Sequence, residues 1–164
     1  MKKILFSLLI LVLNVNIITA QKADSILNKA VMLIDKGELV EAENTIKKAI
    51  SEGIDTLPIH YELAWIYYIE KDYKNAIKTL EPLCDRKDVT PDIYQLLGNA
   101  YDEKGQFNNA ITIYDKGLKK FPGAGCLYLE KGNISYKSNR YEDAFFYYEK
   151  GIEIEPEYAS NYYR

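Results

Sequence analysis

Few side chains in this 164-residue chain are suited to bond-making chemistry. There is one histidine, His60, and there are two cysteines, Cys84 and Cys126. Catalysis by such groups needs a nucleophile, a base and an orienting partner brought together, and no spacing here supplies that set. The sequence has no Gly-rich phosphate loop, no His-Glu-x-x-His and no Cys-x-x-Cys. Acidic residues are scattered at distances that pair with lysines on a helix, as Glu43 does with Lys47. Neither a catalytic residue, a metal ligand nor a cofactor is expected, and no small-molecule substrate. The sequon Asn133-Ile134-Ser135 falls within a predicted helix and is discounted as a glycosylation site.

Composition points the same way. The hydrophobic fraction, 48%, suits a folded chain, and the net charge of −3 leaves no basic stripe for nucleic acid. Tyrosine is abundant, with 15 residues against one tryptophan, Trp65. Tyrosines at regular spacing pack an apolar ring while keeping a polar end for a partner.

The elements that position these residues are set by a 34-residue period. Ala42, Ala76, Ala110 and Ala144 recur at that interval, as do Ala30, Ala64, Gly98 and Gly132. Gly117 and Gly151, Pro122 and Pro156, and Tyr94, Tyr128 and Tyr162 keep the same step, with His60 one step before Tyr94. The units run 23–56, 57–90, 91–124 and 125–158, and 159–164 reads as the opening of a fifth. Within the third unit Tyr94, Leu97, Gly98 and Tyr101 mark one helical face, and Phe107, Ala110, Ile111, Tyr114 and Leu118 mark a second. Turns between the paired helices are expected at Gly37, Lys71, Gly105 and Asn139. Glycine and asparagine suit the left-handed backbone that ends a helix there, and lysine suits it less well. Pro91, Pro122 and Pro156 mark the junctions between units.

Small residues allow two antiparallel helices to cross closely, and one such hairpin buries its apolar sides only by stacking on its neighbours. Tyr94-x-x-Leu97-Gly98-x-x-Tyr101, followed by Ala110, Tyr114, Gly117 and Pro122, resembles the tetratricopeptide-repeat signature. The fourth unit departs from it at Lys131 and Ser135, the second at Asp88, and the first at Lys29. The resemblance implies an all-α, right-handed superhelical solenoid of four helix-turn-helix repeats that binds a protein or peptide.

It also implies that the first helix of each repeat lines a concave groove. That assigns partner contacts to Tyr61, Trp65, Tyr68, Gln95, Asn99, Asp102, Asn133 and Tyr136, with Leu27, Val31, Ile34, Ile69, Glu103, Leu129 and Lys137 beside them. Asn99 and Asn133 share one repeat position and could hydrogen-bond an extended peptide backbone. Trp65 has two readings, packing against neighbouring helices or an aromatic anchor for a bound side chain. The basic clamp by which chaperone-binding members hold a chain terminus is replaced by Leu27, Tyr61, Gln95 and Leu129. Asp102 and Glu103 have two readings, solvated surface charge or a preference for a neutral or basic ligand segment.

Met1-Lys2-Lys3, the apolar run Ile4 to Leu13 and the closing Ile18-Thr19-Ala20 have the order of a secretory signal peptide, with cleavage after Ala20. The apolar run is shorter than the ~20 residues of a membrane-crossing helix, so no span is expected in the mature chain. Removal of the leader leaves 19 basic residues against 24 acidic ones. A periplasmic or surface-associated bacterial protein is the expectation. Cys84 and Cys126 lie on units separated by the whole third repeat, too far apart for a disulfide. Two further roles stand beside the adaptor: the recognition region of a longer enzyme or sensor, and end-to-end self-association through Tyr148, Ile152, Tyr162 and Tyr163.

Overall fold

The computed structural model describes the backbone of residues 2–158 and the side chains of residues 19–158. Leader residues 1–18 therefore lie outside the described side chains, and the opening of a fifth repeat at 159–164, with Tyr162 and Tyr163, lies outside the described residues. The described chain is helical, without strands: α1 (Lys2–Asp35), α2 (Leu39–Ser51), α3 (Leu57–Ile69), α4 (Tyr73–Leu80), a 3-10 turn (Glu81–Asp85), α5 (Pro91–Glu103), α6 (Phe107–Lys120), α7 (Gly125–Lys137) and α8 (Tyr141–Ile154). No helix among the described residues is long and apolar enough to cross a membrane. Two compact units divide the chain, Met1–Ile66 and Tyr67–Arg164.

In the first unit α1 and α2 form an antiparallel hairpin. Ala30 and Ala42 are fully buried in it, and Leu33, Ile46 and Ala49 are buried with them. The expected cleavage point at Ala20 falls within α1. His60 shares the repeat position of Tyr94 but is not fully buried. Its side chain is partly exposed and lies 2.9 Å from Asp55 Oδ1, because an imidazole is more stable with a polar partner than stripped of water. The tyrosine one repeat later, Tyr94, is fully buried and donates its hydroxyl to the Cys84 carbonyl at 3.0 Å.

In the second unit α4 to α8 pack in chain order, and α5 also packs on α7, two helices ahead. Every hairpin turn closes in one way. Lys71, Gly105 and Asn139 have φ of 62°, 72° and 58°, and Gly37 in the first unit has 76°. In each, the left-handed residue donates its N–H three residues back, and the next residue donates five back, as Asp72 does to Tyr67 at 2.8 Å. These bonds satisfy carbonyls that a helix end would otherwise orphan. Lys71 and Asn139 accept the strain because the paired hydrogen bonds hold them there.

The second helix of this repeat stops at Leu80, and Cys84 lies in the 3-10 turn that follows. Pro82 explains this, since it has no N–H for the Lys78 carbonyl and its ring would press on that carbonyl. Cys84 and Cys126 are both buried, and neither forms a disulfide. Burial pushes the Cys126 thiol up to about 12, with the Glu155 carboxylate adding to it, and burial raises Cys84 as well. Both thiols are therefore expected to resist a disulfide exchange reagent in the native protein. Denaturation without reductant should release two equivalents, and fewer than two in a monomer would contradict the structure.

Candidate functional site

The recurring alanines Ala76, Ala110 and Ala144 are buried in the packed interior, and so are Gly98 and Gly132 on the facing helices. A Cβ built on Gly98 would lie 2.0 Å from Tyr114 Cε1, and one on Gly132 would lie 2.5 Å from Tyr148 Cδ1. Each glycine thus leaves room for a tyrosine ring, and each ring reaches over it to an asparagine. Tyr114 donates to Asn99 Oδ1 at 2.6 Å, and Tyr148 donates to Asn133 Oδ1 at 2.9 Å. The same bond appears twice, one repeat apart.

These bonds alter the role first read for Asn99 and Asn133. Their carbonyl oxygens accept from tyrosines of their own repeats, and their amides turn to Glu130. Asn133 Nδ2 donates to Glu130 Oε2 at 3.0 Å, and Asn99 Nδ2 approaches Glu130 Oε1 at 3.5 Å. Gln95 Nε2 donates to Glu130 Oε1 at 2.8 Å and to Tyr158 Oη at 2.7 Å. Glu130 is buried at 6% exposure. Three amides converging on one carboxylate supply the hydrogen bonds that a buried charge requires.

Around this network opens a pocket of about 320 Å³ lined by Tyr68, Asn99, Asp102, Glu103, Glu130, Asn133, Tyr136, Lys137 and Tyr148. Five of the eight expected contact residues therefore share one cavity: Tyr68, Asn99, Asp102, Asn133 and Tyr136. Gln95 stands behind them on Glu130. Tyr61 and Trp65 are half-buried in the first unit and do not line the pocket. Leu129, carried to the groove by the resemblance, is fully buried, and its side chain occupies the space beside Gly151. Tyr148, expected at a stacking end, instead lines the pocket wall.

Glu130 is a pocket residue that the sequence reading missed. It stands one repeat after Leu96, which is buried at 3% exposure. A carboxylate where the preceding unit has a buried leucine was the available signal. Lys131 replaces an apolar residue of the signature without leaving its charge stranded. Its ammonium reaches Asp115 Oδ1 at 2.6 Å and lies 4.3 Å from the centre of the Tyr147 ring. The expected Glu43–Lys47 pair also forms, at 2.6 Å.

The pocket's field is negative. Burial, reinforced by Glu103, Tyr73, Glu130 and Asp102, pushes the Tyr68 phenol up to about 12. Tyr101, which donates to Glu81, is likewise pushed to about 12, chiefly by burial. An acid raised in this way keeps its proton when folded, whereas the unfolded chain releases it near pH 10. Folding stability is therefore expected to fall as pH rises from about 10 to 12. Chemical denaturation across that window would show a shrinking midpoint, and Tyr68→Phe with Tyr101→Phe should flatten the loss.

No group of three or more His, Cys, Asp or Glu side chains among the described residues is placed to hold a metal ion. Helical hairpins repeating every 34 residues define an all-α repeat solenoid. The tetratricopeptide-repeat family profile matches residues 57–86, 91–119 and 127–158, more than half of the chain, and the chain belongs to this family. It is similar to small glutamine-rich tetratricopeptide repeat-containing protein 2 of Mycosarcoma maydis, with 29% identity over 86 residues. That alignment covers 52% of this chain and 24% of the relative, so the chain spans about a quarter of the relative's length. Among solved structures, the crystal structure of MamA superposes with a TM-score of 0.69 at 24% identity, covering 84% of this chain and 81% of that one. MamA 41-end from Desulfovibrio magneticus RS-1 gives 0.70 at 20% identity, covering 82% and 76%. Likeness at this level of identity establishes the fold.

Proposed function

We propose that the chain is an exported, non-catalytic adaptor that holds a partner polypeptide against the first helices of its repeats, in the periplasm or at the cell surface. The repeat bounds 23–56, 57–90, 91–124 and 125–158 are part of this reading. The pocket lined by Tyr68 at the end of α3 and by residues of α5, α7 and α8 carries it, because five side chains singled out for contact converge on one open, polar and aromatic cavity. Tyr68 and Tyr136 supply apolar contact area there, and the Glu130 network fixes the floor. Its leader-like start, residues 1–20, supports export.

The test is capture of binding proteins from the native envelope fraction by the full chain. Tyr68→Ala with Tyr136→Ala is expected to lose the captured partner while keeping the helical circular dichroism, and Lys119→Ala on α6 should keep both. Equal capture by the double variant would remove the pocket from the binding surface. Trp65→Ala adds a reading on the first unit, since reduced capture with unchanged folding marks an anchor and lost cooperative unfolding marks a packing role.

One observation favours a second reading, self-association. Phe145, Phe146 and Ile152 stand exposed on α8 at 64%, 53% and 46%. Light scattering over a concentration series would detect stacking through that face.

A further inference from the structure

We infer that the pocket of the second unit recognises the guanidinium of an arginine in the partner chain, and that Lys137 occupies the cation position until the arginine arrives. The inference rests on the groove being the binding surface. It begins with Asp102. This carboxylate is largely buried, at 11% side-chain exposure, and the Lys137 ammonium meets its Oδ2 at 2.6 Å. Its Oδ1 is buried with no hydrogen-bond partner among the described residues. A buried, unsatisfied carboxylate oxygen is costly, and here it belongs to a residue lining an open cavity.

The charge of the cavity shows what would satisfy it. Its walls carry three carboxylates, Asp102, Glu103 and Glu130, and one ammonium, that of Lys137. Burial lowers the Lys137 pKa, but the hydrogen bond and charge of Asp102, with Glu103 and Glu130 beyond, more than offset this and raise it. Asp102 thus holds a cation firmly, yet an ammonium is a point charge that serves one oxygen. A guanidinium is flat and offers paired N–H groups that match both oxygens of a carboxylate. A turn of the Asp102 carboxylate about its Cβ–Cγ bond would bring Oδ1 into that pairing.

The surroundings fit the same group. Tyr68 and Tyr136 line the cavity, and their rings are braced by Tyr73 at 5.6 Å and Tyr141 at 5.5 Å between centroids. Aromatic faces attract a guanidinium, which is more weakly hydrated than an ammonium and stacks on them. Lys137 can leave, because its side chain is half exposed, at 51%, on a flexible stem. Tyr73 donates to Glu103 Oε2 over a long 3.4 Å, leaving that carboxylate open to further donors.

The test follows the side-chain amide NMR signals of Asn99, Asn133 and Gln95 in the full chain during titration with N-acetyl-arginine amide. N-acetyl-lysine amide and N-acetyl-citrulline amide serve as comparisons. Saturable shifts are expected with arginine, weaker binding with lysine, and none with the uncharged citrulline. Asp102→Asn should weaken arginine binding by roughly tenfold, and Glu103→Gln should weaken it less. Lys137→Met should tighten it by roughly fivefold, the scale of one displaced ion pair; a misfolded variant would not bind more tightly. Equal response to citrulline, or weaker binding by Lys137→Met, would overturn the inference. If envelope partners are captured through the pocket while arginine amide fails to bind, the arginine assignment falls and the groove reading stands. If both fail, the groove reading falls too.

Discussion

Replacing Tyr114 with alanine is expected to cost about 3–5 kcal/mol of folding stability, the range for removing a large aromatic side chain from a core. Its ring is fully buried between α5 and α6. The substitution removes the packing over Gly98 and also the donor to Asn99 Oδ1, which stands at 2.6 Å. Loss of that donor leaves Asn99 on the pocket wall with one fixed contact fewer, so the pocket should loosen as well. Thermal unfolding followed by circular dichroism would show the effect as a drop of roughly 10 °C, given about 2–4 °C per kcal/mol for a chain of this size. Tyr114→Phe separates the two contributions, since it keeps the ring and should cost only about 1 kcal/mol for the hydroxyl. An unchanged midpoint in Tyr114→Ala would mean that this hairpin crossing is not the packed contact described above.

Gly98→Ala is the converse experiment. Glycine within an exposed helix is worth about 1 kcal/mol less than alanine, so propensity alone predicts stabilisation. The structure predicts the opposite sign, because the added Cβ would fall 2.0 Å from Tyr114 Cε1 and 2.5 Å from Cζ. The ring is buried on all sides and tied at its hydroxyl, so it cannot move aside freely. Overpacking of this kind costs about 1–3 kcal/mol and sometimes more. The two substitutions should also be coupled. In a Tyr114→Ala background the Gly98 methyl meets no ring, and Gly98→Ala should become neutral or mildly stabilising. A double-mutant cycle from urea midpoints measures the coupling, and simple additivity would exclude the contact between ring and glycine as the reason for glycine at this position.

These two residues show how much could be read before the structure. The spacing of Ala110, Gly98 and Tyr114 identified the crossing of the third hairpin, because close approach of two helices admits only small side chains. The left-handed turns at Lys71, Gly105 and Asn139 were legible for the same reason, since a helix end needs a particular backbone conformation and recurs with the repeat. The early end of the second helix at Leu80 follows from Pro82, a local feature that the 34-residue period does not carry. His60 shares the repeat position of Tyr94 without its burial, because nearby Asp55 gives the imidazole a polar partner.

The pocket was legible only in outline. A period shows which residues share a register, so it could place Tyr68, Asn99, Asp102, Asn133 and Tyr136 on first helices. It could not show that Asn99 and Asn133 spend their side chains on tyrosines one helix away and on Glu130. Nor could it show that Asp102 meets Lys137, 35 residues later, through only one of its oxygens. The sequence by itself determined the hairpins, their turns and the packing family, because these follow from local backbone preference and from apolar residues recurring along one chain. Only the tertiary structure decided the partners of the polar side chains. A hydrogen bond or ion pair depends on distances of a few tenths of an ångström between different helices, and residue spacing carries no record of those distances.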